Sequence, residues 1–190
     1  LISNYLLLKE QLKKLKYGLN FCKVKSLNEK GENGKIKLLN VDLKYTNPFN
    51  VNKLKASNYI IKSLDLGHKL AAERSDVGII NCPINKKLLR KNKIGVTEYL
   101  SSKSGIKDNS EVMLISNKKL AVCPITTHVD IKDVPKKIKK EMIVKKIITI
   151  HKWFKQKYKK KIKIGVLGLN PHNAELRKNS EEKKIIIPAI

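Results

Sequence analysis

Arginine is almost absent from a chain that carries 42 basic residues: only Arg74, Arg90 and Arg177 are arginine, and the net charge is +26 over 190 residues. Base edges and phosphates are gripped best by the forked guanidinium, so a lysine surface without arginine argues against nucleic-acid recognition. Aromatic residues make up only 5% of the chain, and neither an RNA-binding nor a helix-turn-helix signature is present. The lysines are scattered along the whole length among isoleucine and asparagine, as AT-rich coding produces, and read as a solvated surface. Cysteine is scarce too. Cys22, Cys82 and Cys123 are far apart and form no CxxC pair, which excludes a disulfide framework and a cysteine zinc site and fits a reducing cytoplasm. No apolar run approaches the roughly 20 residues needed to span a bilayer, and the first residues carry no signal-peptide pattern, so no membrane partner is expected. Glycine-rich phosphate cradles are lacking as well: "GENGK" (31–35) lacks the GxxxxGK[ST] frame, and "GVLGLN" (165–170) lacks GxGxxG. The chain opens on Leu1 without methionine and stops on the apolar "IIIPAI"; the expectation is a piece of a longer protein, cut at both ends.

What is present is an alternation of apolar runs with helical periodicity. A lysine-rich helical piece around 8–15 precedes a short strand at 19–24, and "NEKGENGK" (28–35) reads as a loop. Asn50 is placed to cap a helix from 51 to about 73, with Leu54, Ile61, Leu64 and Ala71 on one stripe. "DVGIINCPINK" (76–86) reads as a buried strand and loop, followed by a helix from Lys86 to just before Gly95. "EVMLIS" (111–116) and "LAVCPI" (120–125) flank Asn117-Lys118-Lys119 as a hairpin. Asp133 reads as the cap of a helix running to about Tyr158, with Ile138, Met142, Ile147 and Phe154 inward. "IKIGVLGLN" (162–170) then reads as a strand, and the closing isoleucines as another. Strands alternating with helices predict an α/β sheet with helices on its faces. No internal domain boundary stands out in residues 1–190.

In such sheets ligands sit outside the carboxyl ends of the strands. The loops at Pro83 to Lys86, Thr126 to His128 and Asn170 to His172 occupy that kind of position and are expected to face one cleft. His128 and His172 are the sharpest candidates for chemistry, because each follows a strand on a loop with hydroxyl or amide neighbours able to orient its ring. Their spacing of 44 residues matches no local zinc motif, so shared ligation and unrelated roles both stay open on spacing alone. His68 and His151 read as surface or packing residues, and Lys86 as a solvated cation.

Four pieces in order, "CPINK" (82–86), "PITTHVDIKDVP" (124–135), "VLGLNPH" (166–172) and "EEKKIIIPAI" (181–190), resemble the 4-hydroxythreonine-4-phosphate dehydrogenase family, PdxA, of vitamin B6 biosynthesis. The resemblance implies a three-layer α/β/α fold like that of isocitrate and isopropylmalate dehydrogenases, here incomplete. It also implies a cytoplasmic homodimer. Such enzymes oxidise 4-phosphooxy-L-threonine with NAD or NADP, and the product loses carbon dioxide to give 3-amino-2-oxopropyl phosphate. A divalent metal, zinc, magnesium or cobalt, is held by three histidines; the resemblance assigns two of them to His128 and His172 and puts the third beyond Ile190. The family's Gly-His-Thr-Glu reads here as Gly95-Val96-Thr97-Glu98. Thr97 therefore carries over as a substrate contact, while Val96 cannot hydrogen-bond. After the second histidine Ala-Gly-Glu becomes Asn173-Ala174-Glu175, and a glycine is lost. With two ligands and an incomplete cofactor pocket, these 190 residues are not expected to turn over alone. The competing expectations are a lysine-rich nucleic-acid-binding domain and an inactive paralogue, the latter supported by Val96.

Overall fold

The computed structural model describes residues 1–89, 95–106, 110–159 and 161–190. The chain divides into two compact units, Leu1–Ser104 and Gly105–Ile190.

The first unit is built on a small parallel sheet. Strand β1 (Ile2–Ser3) leads directly into helix α1 (Tyr5–Lys14), which returns the chain to β2 (Phe21–Val24); β3 (Ile36–Asn40) then inserts between them in the order β1-β3-β2. Both pairings are parallel, with Ile2 opposite Leu39 and Cys22 opposite Lys37; of these strands only β2 was expected, and the central β3 was not. Successive residues on a strand face opposite ways, and Leu38 and Leu39 are both buried, so the central strand is covered on both sides. On one side Cys22, Val24 and Leu39 pack with Ile2, Leu27, Leu66 and Leu70. The last two come from helix α2 (Lys53–Glu73).

Asn4 fixes the junction of these elements. Its side-chain oxygen caps α1 by accepting from the Leu7 N–H at 3.0 Å, and its amide donates to the Val41 carbonyl at 3.0 Å. Its own N–H donates to the Tyr59 hydroxyl of α2 at 3.0 Å. One buried side chain thus satisfies a helix start and the end of the central strand, groups that otherwise lack partners.

The α2 cap is Asn52 and not Asn50: the Asn52 side chain accepts from the N–H groups of Leu54 and Lys55. Leu54 in that first turn is 71% exposed, so the inward stripe begins at Ser57 and runs through Leu64 and Gly67. Residues 77–85, expected as a buried strand, are irregular, and Ile80 is fully exposed. Ile79 does reach α2 beside Gly67. The run is therefore held by side-chain contact, and among the described residues no neighbouring strand offers it a ladder. Lys86–Leu88 form one 3₁₀ turn; the continuation of the helix expected there, at 90–94, lies outside the described residues. Helix α3 (Val96–Lys103) closes the unit.

The second unit opens with the expected hairpin. Strands β4 (Ile115–Ser116) and β5 (Ala121–Val122) pair antiparallel, shorter than the apolar runs suggested. The Asn117 side-chain oxygen accepts from the N–H groups of Lys119 and Leu120, and its own N–H donates to the Leu120 carbonyl; this is the local bonding that makes asparagine a turn residue. The helix expected from Asp133 is two helices, α4 (Val134–Lys137) and α5 (Lys140–Tyr158). Asp133 already has helical dihedrals and makes no side-chain capping bond. The break comes at Ile138 and Lys139, both extended, and it turns Ile138 into the interior.

Along α5 the inward register centres on Ile143, which is 2% exposed, rather than on Met142. Ile143 packs with Ile186 and Ala189, joined by Ile125, Val144, Ile147, Val166 and Leu169. Residues 162–170 and 181–190, expected as strands, are otherwise: the first is irregular, and the second winds into turns at Glu182–Ile186 and Ile187–Ala189. Ile186 and Ala189, three residues apart, share a face of those turns, and that is what buries them on Ile143.

Two stability outcomes follow from these junctions. Asn4→Ala removes the cap bond and the partner of the Val41 carbonyl together, and urea unfolding is expected to show a loss of roughly 2 kcal/mol. Ile143→Ala should cost about 2–5 kcal/mol in the same measurement; a loss below that range would mean that the second unit does not depend on this core.

Candidate active site

The two candidate histidines both leave segments seated on the Ile143 core. Pro124, Ile125 and Thr126, from the segment entering the first loop, line a cavity of about 240 Å³ together with Val166, Gly168 and Leu169 from the segment entering the second. Beyond those residues the chain turns outward, and both His128 and His172 are exposed.

Both turn through left-handed backbone. His128 has φ 56°, and His172 has φ 51° and starts a run in which Asn173, Ala174, Glu175 and Leu176 are also left-handed. No glycine takes part, and each such residue costs roughly 1 kcal/mol or more. Strain of this kind persists only where the surroundings impose it. The second loop shows how: Asn170, before proline, is extended with φ −104° and ψ 153°, as its neighbour's ring requires, and the chain reverses hand two residues later. The Asn173 amide oxygen folds over Gly168, 2.2 Å from where a Cβ would stand.

Glu182, which sequence reasoning did not single out, is 2% exposed. Its Oε1 accepts from the N–H groups of Leu169 at 2.9 Å and Asn170 at 2.7 Å, and the Asn170 side-chain amide donates to both of its oxygens at 3.2 Å. Burial pushes this carboxyl up, and the donors of Asn170 and Leu169 more than offset it, holding its pKa below the ordinary glutamate value. The only sequence signal was an acid next to an apolar run.

Cys123 lies just upstream of the first loop. Burial pushes its thiol up, against a smaller opposing effect of Lys146, so it is not an activated nucleophile. Lys146 is itself buried, with its ammonium donating to the Glu111 carbonyl.

Thr97 belongs to the first unit, exposed in the first turn of α3 beside half-buried Val96. The Glu98 carboxylate folds back to within 2.5 Å of where a Cβ on Gly95 would stand. The helix is fastened to α2 through Asp65: one carboxylate oxygen accepts from the Tyr99 hydroxyl at 2.6 Å and pairs with Lys103 at 3.0 Å. Burial, and then that bond, push the Tyr99 phenol up. His68 bonds to the Ser104 hydroxyl at 2.9 Å and His151 is exposed, in keeping with the packing and surface roles expected for them.

Imidazole nitrogen suits a borderline divalent ion, so the two loop histidines fit such an ion in kind. In number they fall short: among the described residues no three His, Cys, Asp or Glu side chains form a group able to hold a metal. Among the described residues, too, no helix is long and apolar enough to cross a membrane.

A 4-hydroxythreonine-4-phosphate dehydrogenase from Sulfurihydrogenibium sp. (strain YO3AOP1) is 34% identical over 189 residues, covering 95% of this chain and 57% of the relative. One from Aquifex aeolicus (strain VF5) is 44% identical over 117 residues, covering 60% of this chain and 36% of the relative. The crystal structure of a 4-hydroxythreonine-4-phosphate dehydrogenase from Klebsiella pneumoniae superposes with a TM-score of 0.86 at 21% identity, over 100% of this chain and 60% of that one, which shows a shared fold. The chain thus spans no more than about 60% of the length of these relatives. The family described as pyridoxal phosphate biosynthetic protein PdxA matches residues 1–190, and the chain belongs to that family.

Proposed function

We propose that the protein is a divalent-metal- and NAD(P)-dependent dehydrogenase acting on 4-phosphooxy-L-threonine, with His128 and His172 as two metal ligands and Thr97 as a substrate contact. The hydroxyl is oxidised to a ketone with hydride passing to NAD or NADP and a proton released; scission of the bond to the carboxylate then frees carbon dioxide, and the carbon left with the electron pair takes up a proton to give 3-amino-2-oxopropyl phosphate. The reading includes a three-layer α/β/α fold of the isocitrate dehydrogenase type, a homodimer, and a cytoplasmic setting in keeping with three free cysteines. The observation that carries it, within this family, is the pair of exposed histidines on left-handed backbone, reached from segments that line one cavity.

When bound, a divalent ion lowers the pKa of an alcohol beside it and stabilises negative charge as that charge develops. The chain's residues prepare for this in three ways. Neutral imidazoles hold an ion without cancelling its charge, and they favour zinc or cobalt over magnesium, which prefers oxygen ligands. The stiff backbone around His128 and His172 limits the directions in which their rings can point. Thr97 presents a hydroxyl at the start of α3, whereas Val96 adds no polar contact.

Titration with Co²⁺, followed by its visible absorption, tests the ligands. His128→Ala and His172→Ala are each expected to raise the dissociation constant roughly tenfold or more; equal affinity in both variants and the original protein would remove the metal assignment. Val96→His should tighten binding of 4-phosphooxy-L-threonine by about fivefold, the worth of one added hydrogen bond. Calorimetry showing no change would mean that the start of α3 does not meet the substrate.

A further inference from the structure

We propose that Glu182 is a positioning residue for His172: its carboxylate clamps the two residues before Pro171, so that the left-handed turn begins from a fixed point and presents the imidazole in one direction.

A carboxylate buried as deeply as Glu182 normally seeks a cation, and this chain has 42 lysines and arginines. Among the described residues none of them forms an ion pair with it. All of its donors outside its own turn come instead from Leu169 and Asn170. A buried charge is a poor device for stability alone, since an apolar side chain of similar size often serves as well. What neutral, directional donors provide is geometry.

The segment it holds has few other means of being held. Residues 162–168 belong to no strand, so their backbone has no ladder to fix its register. Leu169 is seated in the core by its side chain, which fixes depth but leaves rotation about the chain axis open. Two consecutive N–H groups converging on one carboxylate oxygen remove that rotation. Pro171 has no N–H to add, and from His172 onward the chain is left-handed. The clamp is therefore the last contact from outside the turn before the imidazole; within the turn the Asn173 N–H donates to the Asn170 carbonyl at 3.2 Å. Asn170 extends it by also donating to Glu181 at 3.1 Å.

This role rests on His172 as a ligand, and a double-mutant cycle with Co²⁺ alone as the probe separates the two ideas. Affinity and the absorption envelope are measured for the original protein, Glu182→Gln, His172→Ala and the double variant, at a temperature where circular dichroism shows equal folding. Glu182→Gln should weaken Co²⁺ about tenfold and alter the envelope, while adding it to His172→Ala should cause no further loss. A purely structural Glu182 would lower the melting temperature and leave Co²⁺ affinity unchanged, which would overturn the proposal. So would losses that simply multiply in the double variant. If His172→Ala binds Co²⁺ as tightly as the original protein, the metal reading itself fails and positioning with it. Should Glu182→Gln not fold, Asn170→Ala, which removes only the side-chain arm of the clamp, carries the same cycle with the same expectation at smaller size.

Discussion

The second unit depends on one constraint: past the short β4–β5 pairing, the segments that lead to both histidines are seated on α5 by side chains, and among the described residues no β-ladder holds them. Apolar packing on Ile143, Ile186 and Ala189 is strong but has no direction. A backbone seated only in this way keeps its N–H and C=O groups in need of partners, and buried backbone groups left without them are costly. Glu182 answers that need for Leu169 and Asn170, and Asn117 does the same for the hairpin that precedes the first loop. The first unit solves the problem with a ladder. There β3 is paired on both sides, and Asn4 only has to tie the ends.

Directional restraint matters because the loops are strained. Ala174 is buried in left-handed backbone at a position where the family resemblance would place glycine. Its methyl gains burial of about 0.8 kcal/mol and bears a conformational cost of similar size, so the substitution is nearly balanced and the loop keeps its shape. Asn173 makes use of Gly168 in the same spirit, filling with its amide the space that a Cβ would take.

Helix α2, the hairpin and strand β2 were legible in the sequence because each has a signal with a mechanism: a 3.6-residue stripe, an asparagine turn, a short apolar run before a polar loop. The runs at 77–85, 162–170 and 181–190 were not. Apolarity reports that a segment is buried, and it cannot report whether a neighbouring strand is available to pair with it. Ile186 and Ala189 at helical spacing were the clue that the last run is wound. The break between α4 and α5 was hidden because Ile138 fits the inward stripe of an unbroken helix equally well. His128, His172 and Thr97 stood out by motif; Glu182 did not, since one acid beside an apolar run carries no mark until its oxygens are seen meeting Leu169 and Asn170.

The same physics sorts the charges. The four ion pairs among the described residues, at Lys35, Lys69, Arg74 and Lys103, all have exposed side chains, and pairs of that kind contribute little to stability. Inside, the two buried charges among the described residues avoid each other's kind of partner: Lys146 is met by the Glu111 carbonyl and Glu182 by amides. Fixed dipoles take the place of counter-charges there, and they hold a geometry that a mobile lysine head would not. The surplus of +26 is left at the surface. A field of that sign attracts anions in general without choosing among them, so any discrimination has to come from positions where backbone and side chain are both fixed.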